Sequence, residues 1–368
     1  MRVTKLLAVV AFLLPLLSAA PTADGWPQAA DGIQQFAEFG DFKLQNGGVI
    51  YDFKVGYRTL GRLNSEKSNA ILWPTWLGGI SHDLLEFIGP GKVLDSSKYF
   101  VILVDAIGNG ISSSPLNSKQ QPCMKFPKFT IRDMVEAEHR LVTQVLHLSH
   151  LHAVMGVSMG GMQTFSWALA YPDFMDEAIP MAGSPQSTSF DKLLWTAEID
   201  AIESDPAWNH GNPTKLLTKG IVLAQEIDSM NSTSPAYRVA HTYATGFDTF
   251  LSEIKTSAKA DGGTASDQIR QRQAIIALDI PKDLGVTLAQ TAKRVRAKLL
   301  IINSPQDHMV NPTPAFEFAA AAGIPVVSLN SSCGHRSLSC ISVGPIVASF
   351  LADPSSVHSM TLHDPANP

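Results

Sequence analysis

Gly156-Val157-Ser158-Met159-Gly160 has the G-x-S-x-G spacing of a nucleophile elbow, in which a serine sits on a sharp turn between a strand and a helix. Ahead of it, His152-Ala153-Val154-Met155 is a short apolar run suited to a buried strand. Behind it, Met162 to Ala170 reads as a helix that Tyr171-Pro172 ends. Such a turn holds the serine in a strained backbone conformation and lifts its hydroxyl clear of the sheet. Side chains at 156 and 160 would collide with the neighbouring strand and helix, so glycine is needed at both. A pentapeptide of this form also arises by chance in glycine-bearing loops; the flanking strand and helix favour the elbow.

A serine hydroxyl is a poor nucleophile at neutral pH, so the elbow calls for a histidine base and a carboxylate to orient it, in the chain order Ser, acid, His. Ala297 to Asn303 is an apolar run after the basic stretch Lys293-Arg294-Val295-Arg296, which reads as a solvated helix end. The loop that follows, Ser304-Pro305-Gln306-Asp307-His308, sets Asp307 just past a strand's carboxyl end, the edge where catalytic groups of open α/β sheets collect. Pro325 to Leu329 leads into Asn330-Ser331-Ser332-Cys333-Gly334-His335, so His335 lies on the loop after the next strand. Eleven histidines compete for the role of base. His308 adjoins the acid but precedes a strand instead of following the last one. His147, His150 and His152 could suggest a metal site, yet their connector position fits a solvated helix-to-strand turn better, and no HExxH stands beside them. The expected set is Ser158, Asp307 and His335.

Acyl transfer develops negative charge on the carbonyl oxygen, which backbone N–H groups must receive. One donor belongs to the residue after the nucleophile, Met159, and the other to the loop after an earlier strand. Asn69 to Trp73 reads as that strand and Pro74-Thr75-Trp76-Leu77-Gly78-Gly79 as the loop, with an ordinary Gly-Gly turn as the alternative. Gly89-Pro90-Gly91-Lys92 lacks the spacing and the following Ser/Thr of a phosphate loop.

These groups need one sheet to hold them, and the chain is long enough to build it. With 368 residues, 45% of them hydrophobic, it can bury one α/β domain with an inserted cap. The expected class is α/β, a mostly parallel sheet flanked by helices. Residues 21–184 read as the first part of the core, 185–288 as a helical cap that interrupts the strand pattern, 289–352 as the second part of the core and 353–368 as a loosely held tail. Residues 1–20 read as a secretory signal peptide: Arg2 and Lys5 supply positive charge, Leu6 to Leu17 is almost wholly apolar, and Ser18-Ala19-Ala20 supplies small residues for cleavage. That core is short for a transmembrane span. A net charge of −5 gives no electrostatic case for nucleic acid or an anionic membrane. No cofactor or metal is called for, and a homodimer stays open. Of three cysteines, Cys333 and Cys340 bracket His335; in an oxidising compartment they could close a small loop that steadies it, and two buried free thiols are the equal alternative.

The chain resembles the homoserine O-acetyltransferase family of α/β-hydrolase-fold proteins. The resemblance is carried by Asn69 to Leu72, Ile88 to Lys92, Lys98 to Ile102, Phe126-Pro127, Thr130 to Met134, Gly156 to Gln163 and Gly334-His335, and runs from about Tyr51 to Leu351. It implies that Ser158 accepts the acyl group, that Asp307 and His335 complete a triad, and that the amides of Leu77 and Met159 form the oxyanion hole. Members acting on homoserine grip its zwitterion with an arginine on a cap helix, a Tyr-Arg pair, and an aspartate directly after the catalytic histidine. Here those positions hold Ile199, Ser232-Thr233 and Arg336; Arg238 is the nearest residue that could compensate. An isoleucine cannot supply a bidentate clamp on a carboxylate. Such transferases draw on cytosolic acetyl-CoA, which an exported chain would not meet. The expectation is therefore a secreted or periplasmic serine hydrolase acting on a small or short-chain ester. An O-acyltransferase is the alternative, and a non-catalytic binding protein the least favoured one.

Overall fold

The computed structural model describes residues 32–365, so the segment read as a signal peptide lies outside the described residues. Two long strands, β1 (Gln35–Lys43) and β2 (Val49–Leu60), form an antiparallel hairpin at one edge. Then follow β3 (Ala70–Pro74), β4 (Phe100–Val104), β5 (Leu151–Val157), β6 (Met175–Met181), β7 (Lys298–Leu299), β8 (Ile301–Asn303), β9 (Val326–Asn330) and β10 (Met360–His363). They make one sheet in the order β1-β2-β4-β3-β5-β6-β8-β9-β10, with β7 paired to β6. Beyond the antiparallel β2–β4 pairing, every pair is parallel.

Parallel strands covered on both faces read as unbroken apolar runs, and β3 and β4 are buried at every position. Successive residues serve opposite faces. Leu72, Ile102, Val154 and Ile301 join one core, while Ile71, Trp73, Val101, Met155 and Ile302 join the other. Helix α1 (Ile131–Arg140), started by a capping box between Thr130 and Asp133, packs with α2 (Met159–Ala170) on the first face. Between β6 and β7 the chain runs through α3 (Ser189–Glu203), α4 (Gly220–Asn231), α5 (Pro235–His241), α6 (Phe247–Ala260), α7 (Ala265–Ile276), α8 (Ile280–Asp283) and α9 (Leu288–Ala292). This stretch has a small core of its own, with Ile202, Trp208, Leu217, Ile221 and Ile269. α10 (Thr313–Ala322) returns to the first face, α11 (Ser337–Cys340) follows β9, and α12 (Gly344–Ala352) covers the second face with Val347, Phe350 and Leu351.

Three local readings change. The run 297–303 is two short strands, because Leu300 bonds back to Ala178 on β6 whereas Ile301 bonds to Pro325 at the start of β9. The helix after the elbow begins at Met159, directly behind Ser158. Within the segment read as a loose tail, the described residues 353–365 are held: β10 adds a parallel strand to β9, and the Ser331 hydroxyl donates to Asp364 at 2.9 Å. His147 sits in a left-handed turn, His150 pairs with Asp176, and His152 stacks on Tyr99 and bonds the carbonyl of Leu351. Arg296 makes an exposed ion pair with Asp173. Among the described residues no helix is long and apolar enough to cross a membrane.

Candidate active site

Ser158 has φ 57° and ψ −121°, a conformation costly for a side-chain-bearing residue, and its amide donates to the Met181 carbonyl at 2.9 Å. The close packing that holds this turn explains the glycines. A Cβ on Gly156 would lie 2.4 Å from the backbone of Gly160, and one on Gly160 would lie 2.6 Å from the Pro74 carbonyl. The collision partners are thus the elbow helix itself and the end of β3. Gly161 and Gly183 face each other in the same way, and Asn303 grips both backbone groups of Gly183, so the ends of β6 and β8 are clamped beside the turn. Sequence reasoning passed over these residues, although the second glycine of Gly160-Gly161 was visible.

The structure brings the three expected side chains into one chain of hydrogen bonds. His335 Nδ1 lies 2.7 Å from Asp307 Oδ2, and His335 Nε2 lies 2.9 Å from Ser158 Oγ. With the carboxylate accepting from Nδ1–H, Nε2 keeps its lone pair for the serine proton. The other oxygen of Asp307 accepts from the amides of Met309 and Val310, so the carboxylate cannot swing away. Burial opposes charge on His335, but Asp307, and behind it Asp228 and Asp191, hold its pKa above the ordinary 6.5. His308 is close in sequence to the acid, yet the imidazole that meets Ser158 is that of His335.

The loop carrying His335 is tied down on three sides. Cys333 and Cys340 form a disulfide across it, the alternative of two free thiols being set aside, and Cys123 remains unpaired. Ser331 bonds Asp364 of the C-terminal segment and accepts from the Cys333 amide. Gly334, at φ +61°, is hemmed by the Gln306 carbonyl and the Ser234 amide, so only glycine fits between the acid loop and the cap.

Leu77 and Met159 stand on the two segments expected to carry amide donors. Gln163 Nε2 bridges the carbonyls of Thr75 and Met159, at 3.1 Å each, which ties the loop after β3 to the elbow helix. The N–H groups of Leu77 and Met159 donate to no acceptor among the described residues. Leu77, Ser158 and His335 line one cavity of about 710 Å³. Its walls include Trp73, Trp76, Phe87, Val93, Leu338 and Val343, while Asp228, Ser232 and Arg336 supply polarity. Burial pushes the Asp228 carboxyl up. Asp228 was not singled out from sequence, since nothing in Ile227-Asp228-Ser229 distinguishes it from a solvated helix residue.

A model of the alpha/beta hydrolase fold matches residues 71–325. The chain belongs to that family. It is 34% identical over 283 residues to an ethyl acetate hydrolase from Pseudomonas veronii, covering 74% of this chain and 80% of the relative. It is 33% identical over 339 residues to a homoserine O-acetyltransferase from Methanohalobium evestigatum, covering 80% and 67%. With a probable esterase from Corynebacterium glutamicum it shares 40% identity over 183 residues, 49% of this chain and about half (52%) of the relative's length. A solved acetyl esterase, MekB, superposes with a TM-score of 0.79 at 27% identity, over 88% of this chain and 98% of that one. This α/β-hydrolase is an enzyme of the hydrolase or acyltransferase kind.

Proposed function

We propose that this protein is a serine ester hydrolase that cleaves small or short-chain acyl esters through an acyl-enzyme. Ser158 Oγ attacks the acyl carbon while His335 Nε2 takes its proton, Asp307 holds the imidazolium, and the amides of Leu77 and Met159 receive the oxyanion. His335 then returns the proton to the leaving alcohol, and water, deprotonated by the same imidazole, releases the acid. The carrying observation is the hydrogen-bonded line Ser158–His335–Asp307 at 2.9 and 2.7 Å opening on an apolar cavity. The likeness to an ethyl acetate hydrolase and to an acetyl esterase supports a short acyl group.

The alternative, acyl transfer to an alcohol, is favoured by the homoserine O-acetyltransferase relatives. The cap speaks against homoserine as the acceptor. Ile199 is buried in the small core of the cap, and Ser232 and Arg336 line the cavity. Arg238 stacks on Phe250 and bonds Thr242, and Arg272 is taken up by Glu198 at 2.6 Å. Neither Arg238 nor Arg272 is left free to clamp a carboxylate, and Arg336 stands where the homoserine-acting members carry an aspartate. Export belongs to the same proposal, supported by the N-terminal pattern and by the disulfide beside His335, which suits an oxidising compartment.

The test is turnover of p-nitrophenyl and ethyl esters of graded chain length, with and without acetyl-CoA and homoserine, by the protein and by Ser158→Ala. Hydrolysis of the shortest esters is expected, with a loss of about 10⁶ in kcat for the variant. Acetyl transfer to homoserine at a kcat/KM above that for the best ester would overturn the hydrolase reading.

A further inference from the structure

The loop Pro74 to Gly79 carries the Leu77 amide, and most of its other polar backbone groups are pinned. Thr75 N–H donates to the Val104 carbonyl, Thr75 C=O accepts from Gln163, and Gly79 C=O accepts from Asn109. Thr75 Oγ1 also accepts from the Ala106 amide. These ties all come from the hydrolase core. One more bond is internal to the loop, the Gly79 amide donating to the Trp76 carbonyl at 3.1 Å, and one comes from outside the core: the Gly78 amide donates at 2.8 Å to Gln271 Oε1, on α7 of the cap, across 193 residues of sequence.

Gln271 is 1% exposed, and both ends of its amide are used. Its Nε2 donates at 3.1 Å to the Ile107 carbonyl on the loop after β4, and its Cγ packs against Gly108, where a Cβ would come within 3.2 Å of it. Gly108 has φ +86° and Gly78 φ +70°, so both loops are shaped by glycines that impose little rigidity of their own. A buried amide satisfied at both ends has one orientation, so it anchors the Leu77–Gly78 peptide, the middle of the Trp76–Gly79 turn whose closing bond orients the Trp76–Leu77 peptide and with it the Leu77 N–H.

From this geometry we propose that Gln271 is a positioning residue for the reaction. The cap, through this one side chain, holds the Leu77 amide where it can receive the oxyanion. The inference rests on the ester-hydrolase reading of the same site. It makes the cap part of the catalytic apparatus as well as a wall for the substrate, because a cap whose α7 shifts would release the Gly78 tie.

Two variants and three readouts test it. Gln271→Leu removes the acceptor for Gly78 and the donor for Ile107, while Gln271→Glu keeps the acceptor. For Gln271→Leu, kcat for a short-chain p-nitrophenyl ester is expected to fall by about ten- to a hundredfold, the scale of a misplacement near 1 Å, with KM nearly unchanged. Affinity for a trifluoromethyl ketone, which binds Ser158 as a hemiketal oxyanion, should fall by the same factor. Gln271→Glu should keep more of both, and it is the variant to read should the leucine protein not fold. Hydrogen exchange of the peptide spanning 74–80 should rise in Gln271→Leu. A kcat and inhibitor affinity within about threefold of the unaltered protein, or a rise in KM alone, would overturn the proposal whatever the melting temperature. Unchanged exchange of residues 74–80 would overturn it even if the unaltered protein turned over no ester, an outcome that would separately sink the hydrolase reading.

Discussion

At the scale of single residues, the site depends on which histidine meets the serine. His335 lies between Ser158 and Asp307, and no hydrogen bond joins His308 to either. His335→Ala should therefore cost nearly as much activity as Ser158→Ala, whereas His308→Ala should leave most of it, and the ranking of the two kcat values checks this. In the proposed mechanism His335 is the base and must be neutral, so activity should be lost as pH falls through its pKa. Because burial is outweighed by Asp307, Asp228 and Asp191, the acid limb of kcat/KM should lie above 6.5. Asp228→Asn removes one of the charges that stabilise the imidazolium, so the limb should move to lower pH. A limb that stays in place would show that Asp228 does not act on His335.

Among the elements, the segment after β9 carries an unusual share of tethers. The disulfide, the Ser331–Asp364 bond and the cap's Ser234, whose amide donates to the Ser332 carbonyl, converge on a stretch that holds the base. Replacing Cys333 and Cys340 together with serine frees a short loop; disulfides of this kind stabilise by about 2–4 kcal/mol. The double variant should melt earlier and show a lower kcat with KM little changed, since the imidazole loses orientation before the cavity loses shape. Asp364→Ala should act in the same direction through the sheet edge. If it leaves both melting and kcat untouched, β10 is only an appended strand.

For the whole molecule, stability should depend on pH through carboxyls buried without a cation. Glu138, under α2, accepts from the Trp167 indole at 2.6 Å and is otherwise surrounded by core, so burial pushes its pKa up to about 8. The folded protein then keeps a proton that the unfolded chain releases above about 4.5. That contribution is fully present below the unfolded value and is lost as pH rises towards 8. The melting temperature should fall between pH 5 and 8, and Glu138→Gln, which cannot ionise, should flatten that slope. An unchanged slope would mean that other groups set it.

Short-range geometry was legible in the chain without a structure. The strained turn at Ser158, the acid past one strand end and the histidine past the next are consequences of spacing, because an α/β sheet delivers successive strand ends to one edge. The class of fold followed from the same pattern, since strands covered on both faces must be apolar throughout. What spacing could not give were the groups that reach the site across long sequence separations. Gln271 meets Gly78, Asp364 meets Ser331, and Asp228 looks onto His335 only because the cap and the last strand fold back over the core. None of these side chains carries a local pattern, as a lone Gln or Asp on a helix reads like a solvated face. The same blindness made residues 353–368 look loose, since the strand there is short and mostly exposed, and its place is set by its pairing with β9. Local steric rules act between neighbours in sequence and can be read from it, whereas hydrogen bonds between distant segments exist only once the chain has closed on itself.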